Sequence, residues 1–146
     1  MIPESPAVQE AILCLPAELT YLPAFLDHVR RMAELAGVAD AQIARLELAV
    51  EEALVNVVSY AYGDRRPAGT VQCRVVAQPE SLRVEIADEG PPFDPLTRPD
   101  PDTALELEQR EPGGLGILLI KSLASEVAYR REGNQNVLRI EMRRDV

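Results

Sequence analysis

Two long stretches of the chain repeat apolar residues every three or four positions, and several shorter ones alternate apolar with polar. From Glu18 to Gly37 the apolar positions are Leu19, Leu22, Leu26, Val29, Met32 and Leu35, a helical period. Pro23 falls in the first turn, where its missing N–H costs nothing, and Gly37 suits the C-terminal stop. A second helix is predicted from Asp40, as N-cap, to about Tyr62, with Ile43, Leu46, Val50, Leu54, Val57 and Ala61 as its stripe. Ala11-Ile12-Leu13-Cys14-Leu15, closed by Pro16, reads as a short strand. Val71, Cys73 and Val75 alternate with Gln72 and Arg74, and Leu82, Val84 and Ile86 with Arg83 and Glu85. These are two half-buried strands joined by the turn Pro79-Glu80-Ser81. A third helix is predicted over Leu115–Leu123. Glu126–Arg131 and Asn136–Arg143 then form a hairpin around Gly133-Asn134, with Leu138, Ile140 and Met142 on one side.

Between Pro91 and Pro112 the periodicity disappears among six prolines and many acidic or polar residues. More than ~15 residues without a pattern inside a compact domain point to a lid or binding loop. The element order predicts an α+β fold: a two-layer sandwich with helices on one face of a mostly antiparallel mixed sheet. At 146 residues the whole chain, 1–146, fits one domain.

Composition narrows the function classes. Hydrophobic residues make up 47%, enough for a packed core. The formal net charge of −9 repels phosphate backbones, so direct nucleic-acid binding is not expected. An acidic surface suits a basic protein partner, or simply keeps the domain in solution. No apolar run approaches the ~20 residues that span a bilayer, and Met1-Ile2-Pro3-Glu4-Ser5 has no secretory pattern, so a cytoplasmic location without membrane contact is expected. Cys14 and Cys73 are isolated in apolar strand-like runs and are expected to be buried free thiols.

Three short segments carry the candidate chemistry. Glu52 and Asn56 lie four apart, one above the other on the second helix. At ~100° per residue they sit about opposite the stripe of Ile43, Val50 and Leu54, turned away from the sheet. As an isolated pair they read as a solvated polar face, although Leu48 and Val55 flank them. A carboxylate there suits a general base, and an amide oxygen one turn away suits a hard cation such as Mg²⁺. Asp88 ends an apolar strand and Gly90 follows, either an acidic turn or an acceptor for an exocyclic amine beside a glycine that lets a flat ring approach. Gly113-Gly114-Leu115-Gly116 enters the third helix, where free N–H groups face anions. It matches neither the Walker A pattern nor a dinucleotide fingerprint.

In this order, the three segments resemble the boxes of the GHKL (Bergerat-fold) ATP-binding superfamily, and within it the bacterial anti-sigma factor serine/threonine kinases. Glu52 and Asn56 match the N box. Asp88, Gly90 and Phe93 match the Asp-x-Gly-x-x-Phe box, and Gly113, Gly114, Leu115, Gly116 and Ile117 match the Gly-Gly-x-Gly-Leu box with isoleucine for the final leucine. The resemblance implies that Glu52 activates an attacking hydroxyl and that Asn56 holds Mg²⁺ against ATP. Asp88 would take the adenine amine with Gly90 shaping that pocket, Gly114 and Gly116 would expose backbone N–H groups to the phosphates, and Phe93, Gly113, Leu115 and Ile117 would join the ATP site. Residues 91–112 would form the ATP lid. It further implies a STAS-domain anti-anti-sigma protein as phosphoacceptor, a sigma factor as sequestered partner, and a homodimer.

Two positions depart from the family pattern. Tyr60 stands where a histidine is frequent, and Gly133-Asn134-Gln135-Asn136-Val137 stands where a threonine near the last strand contacts adenine. There the contact comes from an amide or is absent. A nucleotide-binding regulatory module without phosphotransfer is the alternative function. His28, the one histidine, lies among charged neighbours and reads as a surface residue.

Overall fold

The alternating segments pair into one sheet, and the helical segments cover one of its faces. The computed structural model describes residues 9–61, 69–97 and 114–144. Strand β1 (Gln9–Pro16) leads through a 3-10 turn at Leu19–Tyr21 into helix α1 (Leu22–Leu35) and helix α2 (Asp40–Asn56). Strands β2 (Thr70–Ala77) and β3 (Ser81–Asp88) follow, then helix α3 (Gly114–Leu123) and strands β4 (Glu126–Glu132) and β5 (Gln135–Arg143). The sheet order is β1-β2-β3-β5-β4, and all four pairings are antiparallel. This is the expected α+β sandwich. The helices fill the covered face, and their apolar residues join those of the strands in one buried cluster.

Register arranges that covered face in rungs across the sheet. Ala77, Leu82 and Met142 form one rung, Val75, Val84 and Ile140 the next, and Cys73, Ile86 and Leu138 the third. All nine are buried. The fourth rung, Val71–Asp88–Asn136, turns polar at its centre. A hydrophobic ladder therefore ends in two buried polar side chains, Asp88 at 6% and Asn136 at 5% exposure. Polar groups so placed must find internal partners or cost about 1–3 kcal/mol each.

The helices bury more than their predicted stripes. Helix α1 turns Phe25, Val29 and Ala33 fully inward, leaving Leu22, Leu26 and Met32 at the margin and Leu19 and Leu35 exposed. Pro23 sits in its first turn, as expected. The N-cap of α2 is Ala39, so Asp40 is its first residue, where a carboxylate favours the positive end of the helix dipole. Beyond Asn56 the chain passes into a π-helical turn over Val57–Ala61. Tyr62, the predicted helix end, lies outside the described residues. Helix α2 buries Ala49 and Ala53 as well as Ile43, Leu46, Val50 and Leu54, because α3 packs on its second side.

The two cysteines separate by face. Cys73 shares a rung with Ile86 and is fully buried, and burial pushes its thiol up to about 12. Cys14 is exposed, contrary to the expectation that both are buried. Strand alternation explains it: Leu13 and Leu15 pack towards the core, whereas Ile12 and Cys14 point to the uncovered face. That face is held by charge. Glu85 lies between Arg74 (3.5 Å) and Arg130 (3.2 Å), Arg74 also pairs with Glu10, and Arg130 with Glu132.

Candidate active site

The C-terminal turn of α2, the last rung of the sheet and the segment after β3 enclose a small cleft. Ala53, Asn56 and Val57 form one wall, Ile86, Asp88, Asn136 and Leu138 the floor, and Tyr129, Phe93 and Pro95 the rim. Its volume is about 40 Å³, room for a few waters. Phe93, at the rim, is 41% exposed.

Asn56 and Asp88 thus meet across one cleft although 32 positions separate them in the chain. The expectation that the N-box pair turns away from the sheet is corrected here. Asn56 reaches into the cleft between helix and sheet, and its Nδ2 is buried without a hydrogen-bond partner. Glu52, one turn earlier, faces α3. A Cβ built on Gly116 would stand 2.8 Å from Glu52 Oε2, so the carboxylate lies directly against that glycine. A side chain at that position would require the carboxylate to shift. The sequence-based angle placed the pair opposite the sheet-facing stripe, but a third helix fills that side.

Asp88 is fixed by its own loop and by β5. Its Oδ1 accepts from the Gly90 N–H at 2.9 Å and from Asn136 Nδ2 at 2.9 Å. No described residue donates to Oδ2. Gly90 is buried, and its carbonyl accepts from Arg131 Nη1 at 2.8 Å. Asp94 Oδ1 accepts from the Leu96 N–H at 2.8 Å, starting the turn Pro95–Thr97.

The remaining predicted site residues fall into three groups. Gly114 begins α3 and Gly116 touches Glu52, so the glycine-rich entry does meet the N box. The Ile117 side chain is buried at 4% in the core cluster. Gly113, the side chain of Leu115, that of Tyr60 and most of the expected lid, from residue 98 on, lie outside the described residues. Tyr129 and Arg131 were not anticipated. Asn136 was noticed only as a departure from a family pattern. Its signal was nevertheless present: counting back by two from Met142, Ile140 and Leu138 reaches Asn136, a polar residue in a core-facing register.

ATP with Mg²⁺ fits this donor set. Among the described residues no group of three or more His, Cys, Asp or Glu gathers to hold a metal. Mg²⁺ typically takes only one or two protein oxygens and fills its shell with phosphates and water. Asn56, on the wall of the cleft, would offer its side-chain oxygen as a ligand of that kind. Among the described residues no helix is long and apolar enough to cross a membrane.

The histidine kinase-like ATPase domain matches residues 15–142. The serine/threonine-protein kinase BtrW of Bordetella bronchiseptica is 31% identical over 93 residues, which cover 64% of this chain and 65% of that one. The serine-protein kinase RsbW of Listeria monocytogenes is 31% identical over 126 residues, covering 83% of this chain and 80% of that protein. A crystal structure of the RsbU and RsbW domains of Rv1364c from Mycobacterium tuberculosis shares the fold, with a TM-score of 0.65 at 15% identity over 93% of this chain and 32% of the other. The chain belongs to the anti-sigma factor serine/threonine kinase family, within the histidine kinase-like ATPases.

Proposed function

We propose that this chain is an Mg-ATP-dependent serine/threonine kinase of the cytoplasm. Its acceptor would be a hydroxyl on a STAS-domain anti-anti-sigma protein, and its second partner a sigma factor that it sequesters. The observation that carries the reading is the contact of Glu52 with Gly116 beside the cleft that holds Asn56 and Asp88. It joins a carboxylate base to the helix entry where phosphates are expected, with an adenine acceptor on the far side. The kinase names of the relatives support the reaction class.

In this reading Asp88 Oδ2 accepts from the adenine amine, and the N–H groups at the start of α3 face the phosphates. Glu52 takes the proton of the acceptor hydroxyl as its oxygen bonds the γ-phosphorus. The bond from that phosphorus to the bridging oxygen breaks, and ADP leaves with the electron pair. Bound magnesium would neutralise phosphate charge, with Asn56 supplying its protein oxygen. Catalysis rests on holding these groups in line more than on any unusual reactivity.

Phosphate transfer from labelled Mg-ATP to the cognate STAS protein tests the proposal. Wild type transfers, and Glu52→Gln keeps its ATP affinity and loses transfer by about a hundredfold or more. Normal ATP binding by wild type without transfer would leave the alternative, a nucleotide-binding regulatory module.

A further inference from the structure

We infer that Asn136 is a positioning residue that sets the base selectivity of the cleft. This rests on the reading of the cleft as a nucleotide site. The Asn136 amide is spent internally. Its Nδ2 donates to Asp88 Oδ1 at 2.9 Å and to the Pro91 carbonyl at 3.0 Å, with the Gly90 carbonyl at 3.4 Å. Its Oδ1 accepts from Tyr129 Oη at 2.6 Å, the Phe93 N–H at 3.1 Å and Arg131 Nη1 at 3.3 Å. Two N–H hydrogens already meet three acceptors and one carbonyl oxygen meets three donors, so nothing remains for a ligand.

The consequence falls on Asp88. With Oδ1 held by the amide and by the Gly90 N–H, the carboxylate of this cleft-lining residue is fixed in rotation, and among the described residues Oδ2 is the oxygen left without a donor. A lone acceptor oxygen selects a purine that carries an amine at the position it faces and disfavours one that carries a carbonyl there. Tyr129 and Arg131 act one step further out. They fix the orientation of the amide: three donors converge on Oδ1, so a flipped amide would point N–H at N–H. Asn136 also ties the 90–93 segment to β5, through the Phe93 N–H and the Pro91 carbonyl.

The test measures Kd for ATP and for inosine triphosphate, which replaces the amine with a carbonyl, by calorimetry on wild type, Asn136→Ala and Tyr129→Phe. Thermal unfolding is followed in parallel. Wild type prefers ATP strongly. In Asn136→Ala, ATP affinity falls about tenfold or more while the inosine nucleotide changes little, so the preference shrinks. Tyr129→Phe removes one donor of three and shifts the preference in the same direction, by about threefold. If Asn136→Ala does not fold, Tyr129→Phe carries the readout. Equal loss for both nucleotides would mark Asn136 as a packing residue and overturn the inference, as would an unchanged preference. A wild type that binds ATP without discriminating also overturns it. A folded wild type that binds neither nucleotide overturns the nucleotide-site reading itself.

Discussion

Strand β3 buries one carboxylate on each face of the sheet, three residues apart, and the two are held in opposite ways. Glu85, 7% exposed on the uncovered face, is clamped between the guanidinium groups of Arg74 and Arg130. Asp88, 6% exposed on the covered face, has no cationic partner among the described residues and is held through one oxygen by an amide and a backbone N–H. Guanidinium pairing neutralises a charge and spends its acceptors on structure. Neutral donors on one oxygen fix a carboxylate and leave the other oxygen ready for a ligand. Equal burial therefore says little about role, and the identity of the partners says much.

The comparison breaks first on substitution of the carboxylates themselves. Asp88→Asn is expected to lose about a hundredfold or more in ATP affinity with little change in unfolding temperature. Glu85→Gln is expected to do the reverse: ATP affinity unchanged and stability reduced by about 1 kcal/mol, since both arginines are partly solvated. Calorimetry and chemical denaturation on the same two variants decide it, and equal effects on ATP would erase the distinction. Gly116→Ala should come next in size. The added methyl displaces the Glu52 carboxylate, lowering phosphate transfer by about tenfold while ATP affinity changes less than about threefold. Single-turnover transfer against Kd separates the two quantities.

The smallest effect concerns the faces as such. The Cys73 thiol, pushed up to about 12, is neutral at pH 8 and shielded, whereas Cys14 is exposed. Mass spectrometry after alkylation at pH 8 should show one label in the native protein and two after denaturation. Two labels on the native protein would contradict the rung that buries Cys73 against Ile86.

Much of this was legible in the sequence because the signals were periodic. Alternation in Val71–Val75 and Leu82–Ile86 located the central strands, and the stripe from Ile43 to Leu54 located α2. What stayed hidden was made by tertiary contact. The stripe of α1 rotated towards Phe25 and Ala33 because the sheet, and not the helix period, selects which side faces inward. Glu52 read as solvent-facing because nothing local shows that α3 returns to cover it. Asp88, Gly90 and Asn56 were recognisable as motif residues. The bonds from Asn136, Tyr129 and Arg131 depend on a β3–β5 register set by residues about 50 positions apart. The Ile117 side chain packs in the core, as an apolar residue inside a helix-entry motif can.

The central claim is that the cleft between Asn56 and Asp88 is an Mg-ATP site, and titration of ATP with and without Mg²⁺ tests it most directly. On the account given, wild type binds ATP more tightly with magnesium, and Asn56→Ala loses most of that magnesium-dependent gain while remaining folded. A well-folded wild type that binds no ATP, or one whose Asn56→Ala variant keeps the full magnesium gain, would contradict it.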